Sequence, residues 1–145
     1  MISEIELAPA PGGHGRVQET VGLLQLLKTR LDDDWQLVLE DLPGWLVDAF
    51  APERTDEESN QWRARWLASD DPVAFMNESG WTASGWLYWF SSENEFWTLK
   101  DVRLDDDGRG LTMLVEHEDS PFPSEAVRWL AFVAGLEAGE EKRIS

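Results

Sequence analysis

Nine tryptophans have to find cover in a chain of 145 residues, and that demand rules out much of what so acidic a sequence would otherwise be. Each large aromatic has about 150–250 Å² to remove from water, and hydrophobic residues make up 42% of the chain. Material for one sizeable core is therefore present, and 145 residues fall within the range of a single domain. A domain of that size hides roughly 68–70% of the surface its unfolded chain exposes. Disorder requires low hydrophobicity together with high charge, and only the second condition is met.

The charge excludes several classes of function. There are 29 acids against 12 bases, a net charge of −17, and only three of the bases are lysines. Direct binding of nucleic acid needs the opposite sign, because phosphates have to be neutralised. An anionic membrane surface is disfavoured for the same reason. No apolar stretch approaches the roughly 20 residues of a membrane span; Trp86–Phe90 and Trp129–Ala134 are the longest. The absence of cysteine excludes disulfides, thiolate metal sites and a cysteine nucleophile. The opening residues carry Glu4 and Glu6 and lack the basic start and apolar run of a secretion signal, so a cytoplasmic protein is expected.

Patterning gives the expected elements. Residues 1–15 end in the breaker-rich Pro9-Ala10-Pro11-Gly12-Gly13-His14-Gly15 and are read as a mobile arm. Val17, Val21, Leu24, Leu27 and Leu31 recur at helical spacing. Asp32-Asp33-Asp34 stops that helix, and Trp35–Glu40 alternates roughly enough to be read as a strand. Pro43 opens a short helix that Pro52 ends. Thr55 or Asp56 caps a helix with Trp62, Trp66 and Leu67 on one side, and Asp71-Pro72 starts another. For Trp81–Phe90 a helix is preferred, with Thr82 at the cap and Trp81 spaced to staple onto Trp86.

The firmest β signal lies near the C-terminus. Glu95–Leu104 alternates, Asp105–Gly110 is turn chemistry, and Leu111–His117 returns. Pro123 or Ser124 then opens a last, nearly all-apolar helix that Gly135 closes, before a polar tail over 137–145. The expected class is α+β. A small antiparallel sheet, built from the C-terminal hairpin with 35–40 as a candidate N-terminal strand, is packed by several short helices within a single domain over 16–136.

Motifs for chemistry are weak. Counting Asp105 as first, Asp107, Gly110 and Glu116 fall at calcium-loop positions three, six and twelve. Arg109 stands where an oxygen ligand is required, so a polar turn is the better reading. Glu116-His117-Glu118-Asp119 offers one imidazole, and His14 is the only other histidine, too few for a typical zinc site. No nucleophile elbow, phosphate-cradling loop or dinucleotide loop occurs in the required context. Neither a metal nor a cofactor is expected, and the inventory weighs against an enzyme.

The leading expectation is a non-enzymatic acidic interaction module, of the kind that inhibits or regulates a basic protein partner, as immunity proteins and antitoxins do. Asp32, Asp33, Asp34, Asp105, Asp106 and Asp107 are its candidate electrostatic contacts, because turns leave side chains free to meet a partner. Trp62 and Trp129 are its candidate aromatic anchors. The alternatives are a mimic of a nucleic-acid surface and a small-ligand protein with a tryptophan-lined pocket. Homo-oligomerisation stays open.

Overall fold

The computed structural model describes residues 1–11 and 15–145, at Asn77 the backbone only. In chain order the elements are β1 (Ile2–Pro9), α1 (Val17–Thr29), α2 (Trp35–Leu39), α3 (Gly44–Val47), α4 (Asp56–Ala68), α5 (Pro72–Ser79), α6 (Ala83–Tyr88), β2 (Trp97–Leu104), β3 (Leu111–His117), α7 (Glu125–Val133), β4 (Leu136–Ala138) and β5 (Lys142–Arg143). This is an α+β domain: one antiparallel sheet with helices gathered on one of its faces. No helix among the described residues is long and apolar enough to cross a membrane.

The sheet order is β2-β3-β1-β4, with β5 pairing β1 beyond β4. Ile5 and Leu7 of β1, Leu111, Met113 and Val115 of β3, and Trp97, Leu99 and Val102 of β2 form the buried side. Simple alternation would place Val102 opposite Trp97 and Leu99. A bulge between Leu99 and Asp101 resets the phase and brings Val102 inward with them. Lys100 and Asp101 at the bulge also charge this edge strand, which discourages pairing with a further strand.

Two expectations about the termini are corrected. Residues 1–15 are not an arm throughout: Ile2–Pro9 forms β1, an inner strand paired with β3 on one side and with β4 and β5 on the other. Its buried Ser3, Ile5 and Leu7 alternate with the more exposed Glu4 and Glu6, a strand pattern that the breakers from Pro9 onward only terminate. Gly12, Gly13 and His14 of the glycine-rich run lie outside the described residues. The polar tail is likewise ordered. The Gly139 N–H donates to the Glu6 carbonyl at 2.8 Å and that of Ile144 to the Ile2 carbonyl at 2.8 Å, which zips 136–145 along β1.

Trp35–Leu39 is α2, a helix where a strand was expected. Asp34 explains the difference, because its side chain accepts the Gln36 N–H at 2.9 Å and caps a helical start. Elsewhere the caps fall where the sequence places them. Thr55 and Glu58 form a capping box at α4, and Asp71 and Thr82 cap α5 and α6. Gly135, at φ 74°, follows α7 in the left-handed conformation that glycine adopts without strain.

The core between sheet and helices is aromatic. Trp86 packs against Phe50, Phe90 and Trp129, and the chain of rings continues through Trp97 to Phe122. The Trp86 indole N–H donates to the Ala126 carbonyl at 3.0 Å, which ties α6 to α7.

Candidate functional site

A concavity of about 390 Å³ opens where the end of α1, the 31–34 turn, α2, α6 and the 91–93 loop meet. Its apolar walls include Leu27, Leu31, Trp35 and Tyr88. Its rim holds four carboxylates, Asp32, Asp33, Asp34 and Glu93, against the single guanidinium of Arg30. The Ser92 N–H donates to the Leu31 carbonyl at 2.9 Å, and the Ser92 hydroxyl donates to Asp32 at 2.5 Å. These two bonds pin the loop against the acidic turn and set the width of the cleft.

Each aspartate of the turn has a structural partner as well. Asp32 holds Ser92, Asp34 caps α2, and Asp33 pairs with Arg30. Arg30 also pairs with Asp41, and its pKa is raised above the ordinary arginine value, first by the hydrogen bond to Asp33 and then by that to Asp41. Arg30 is therefore committed to these two acids. Asp32, Asp34 and Glu93 make no ion pair among the described residues, so the cleft keeps a negative excess over an apolar floor. Such a surface suits a cation carried on an apolar stem, which is the character of a lysine or arginine side chain.

The eight residues singled out from the sequence do not converge. Asp105, Asp106 and Asp107 sit at the β2–β3 turn, at the far end of β2 from the 91–93 loop. Seven residue steps separate Trp97 from Leu104, or about 23 Å at the usual strand rise. Asp105 is turned back into the hairpin, where it accepts the Thr112 hydroxyl at 3.0 Å, and Asp107 accepts the Arg109 N–H at 2.9 Å. Trp62 lies on α4, stacked on Trp66 with ring centroids 6.4 Å apart. Trp129 is 2% exposed and stacks on Phe50 in the core, so it is no surface anchor. Only Asp32–Asp34 fall within one cavity, and the contributions of Tyr88 and Glu93 were missed. No local motif marks them, since they meet the turn only because Ser92 folds back on Leu31.

A second polar group of interest is buried. His117 Nε2 lies 2.7 Å from Ser3 Oγ and 3.0 Å from Glu141 Oε1, while Nδ1 lies 2.7 Å from the Asp119 carbonyl. The carbonyl can only accept, so Nδ1 carries a proton. Serine, imidazole and carboxylate meet here, but not as a nucleophilic triad. Ser3 is 0% exposed, and the carboxylate shares Nε2 with the hydroxyl, leaving Nδ1 to the backbone. The cluster instead ties β1 to the end of β3 through Ser3 and His117, with Glu141 of the C-terminal segment packed beside Nε2.

Comparison with known proteins adds no relative: no family model, no curated protein and no solved structure matches the chain.

Proposed function

We propose that the chain is a non-enzymatic interaction module whose acidic cleft receives a basic side chain of a protein partner, as an immunity- or antitoxin-like inhibitor or another regulator of a basic protein would. The observation that carries the reading is the placement of Asp32, Asp33, Asp34 and Glu93 around a cleft of about 390 Å³ whose walls include Trp35 and Tyr88. Tyr88 is exposed and Trp35 partly so, and aromatic surface that a partner can cover beside charge suits an interface centre, where anchors carry most of the affinity. The −17 net charge supplies long-range attraction toward a basic partner.

The nucleic-acid-mimic alternative has less support. A mimic needs carboxylates spaced along one face, whereas the open face of the sheet mixes Glu4, Glu6 and Glu116 with Lys100 and Arg103. Lys100 even pairs with Glu116 at 3.3 Å.

The test is recovery of partners from a lysate at low salt, with the unaltered protein beside two variants. Asp32→Asn/Glu93→Gln removes charge from the cleft and spares the α2 cap and the Arg30 pair. Asp106→Asn/Asp107→Asn removes the same charge from the hairpin tip. The first variant is expected to lose the basic partner and the second to retain it. Equal recovery of the same proteins by all three would end the proposal.

A further inference from the structure

Three of the twelve bases, Arg54, Arg63 and Arg65, lie within twelve residues of one another, and none makes an ion pair among the described residues. The chain brings them to one place. The Ala51 N–H donates to the Trp81 carbonyl at 2.9 Å and Ala51 bridges Thr82, so the segment leading to Arg54 runs beside the start of α6. The Arg54 guanidinium then lies 5.0 Å from the centre of the Trp62 ring, and that of Arg65 lies 5.9 Å from Phe75. Between α4, α5 and the 80–82 turn lies a pocket of about 190 Å³, lined by Arg54, Arg63, Trp62, Trp81 and the buried Met76.

The positive charge here is offset only in part. Glu53 and Glu58 both raise the Arg54 pKa, but neither forms an ion pair with it among the described residues. Glu53 accepts the Ser84 hydroxyl and the Ser84 N–H at 3.2 Å, whereas Glu58 closes the capping box with the Thr55 N–H at 3.2 Å. Arg54 has its pKa lowered, first by burial and then by repulsion from Arg65, with the two glutamates opposing. Arg54 is half-buried while Arg65 is exposed, and a bound anion would offset both the burial of the first and its repulsion by the second. The Trp81 indole N–H is buried and lacks a hydrogen-bond partner among the described residues, and Trp81 is one of the residues that line the pocket.

We propose that this pocket is a binding site for a small planar carboxylate, a single aromatic ring bearing one carboxyl group, with its ring against Trp62 and Trp81 and its charge on Arg54 and Arg63. Guanidinium recognises the planar carboxylate with two parallel hydrogen bonds, and indole faces suit a flat apolar ring. The size sets the limit: 190 Å³ is below the roughly 300–1,000 Å³ of drug-sized sites. One ring fits that limit and a nucleotide exceeds it. The net charge of the molecule opposes an approaching anion, but at physiological salt that field is screened beyond about 8 Å, and the guanidiniums act within contact distance. The residues that line this pocket are distinct from those that line the acidic cleft.

Nuclear magnetic resonance tests it directly, since each tryptophan side chain gives one indole N–H signal. The probes are benzoate, benzamide and inorganic phosphate, which separate ring with charge, ring alone and charge alone. Benzoate is expected to shift the Trp62 and Trp81 signals saturably, with a Kd below about 1 mM, and to leave Trp97 and Trp129 unmoved. Arg54→Gln should weaken binding about tenfold or more. Arg63→Gln, an exposed position that the fold does not depend on, should weaken it in the same direction, while Arg103→Gln on the sheet should not. The proposal is overturned if benzoate moves neither signal, if benzamide or phosphate binds as well as benzoate, or if both pocket variants bind benzoate like the unaltered protein.

Discussion

Trp86 and Trp97 pose the same steric problem and solve its polar part differently. Both are buried to within 2%, and both pack against Phe90. The Trp86 N–H reaches the Ala126 carbonyl, whereas the Trp97 N–H is buried without a partner among the described residues. Replacement by phenylalanine removes similar volume at each site, so the cavity contributions largely cancel in the comparison. What remains is the hydrogen bond. Trp86→Phe removes a buried bond to the Ala126 carbonyl, which retains its helical partner within α7, while Trp97→Phe deletes an N–H that was already unsatisfied. Trp86→Phe should therefore be the more destabilising of the two by about 1–2 kcal/mol. Paired urea denaturation curves measure the difference, and equal losses would mean that the α6–α7 bond contributes nothing net. The same reasoning explains why Trp129 cannot anchor a partner. A ring stacked on Phe50 at 5.5 Å belongs to the core, and exposing it would take the core apart.

At the scale of elements, the sheet depends on its ends meeting. β1 is an inner strand only because β4, β5 and the residues after them cover its second edge. Between the two short strands the chain leaves the ladder, and there Glu141 reaches His117. Removing residues 139–145 uncovers the Ser3–Glu6 stretch of β1, a free edge with Ile2 and Ile5 beside it. Exposed edges template pairing with other chains. The shortened protein is expected to self-associate with rising concentration in sedimentation runs where the full chain stays unchanged. A shortened chain that sediments like the full one would show that the tail is decoration. Much of this layer was legible in the sequence. The hairpin 97–117, the caps at Thr55, Asp71 and Thr82, and the buried α7 follow from local chemistry. Three features were not, each because a non-local or competing cause decided it. The Ile2–Leu7 alternation becomes a strand through pairing with distant β3, β4 and β5 despite the two prolines after Ala8, the cap at Asp34 outweighs the strand-like Trp35–Leu39, and the acidic cleft exists only through the Ser92 contact.

For the whole molecule the decisive quantity is the −17 charge, which under the proposed function acts on stability and on association with opposite signs. The ion pairs are surface pairs for the most part: Arg16–Glu19, Lys28–Asp101 and Lys100–Glu116 have side chains about half exposed. Such pairs are worth about 0–1 kcal/mol each. Against them stands the repulsion among 29 acids brought together by folding, which the unfolded chain relieves by expanding. Salt shortens the range of both effects, from about 30 Å at 0.01 M to about 3 Å at 1 M. Because repulsion outweighs the exposed pairs, adding sodium chloride at neutral pH should raise the thermal midpoint. A fold resting on its surface ion pairs would lose stability instead. Capture of a basic partner should respond the other way, slowing as the attracting field is screened. The two measurements on one protein over the same salt series separate the roles of the charge. A midpoint that rises while association slows assigns the acids to attraction at the expense of stability. If the midpoint falls, self-repulsion is not the dominant electrostatic effect in this fold, and the acids must be engaged in favourable contacts instead.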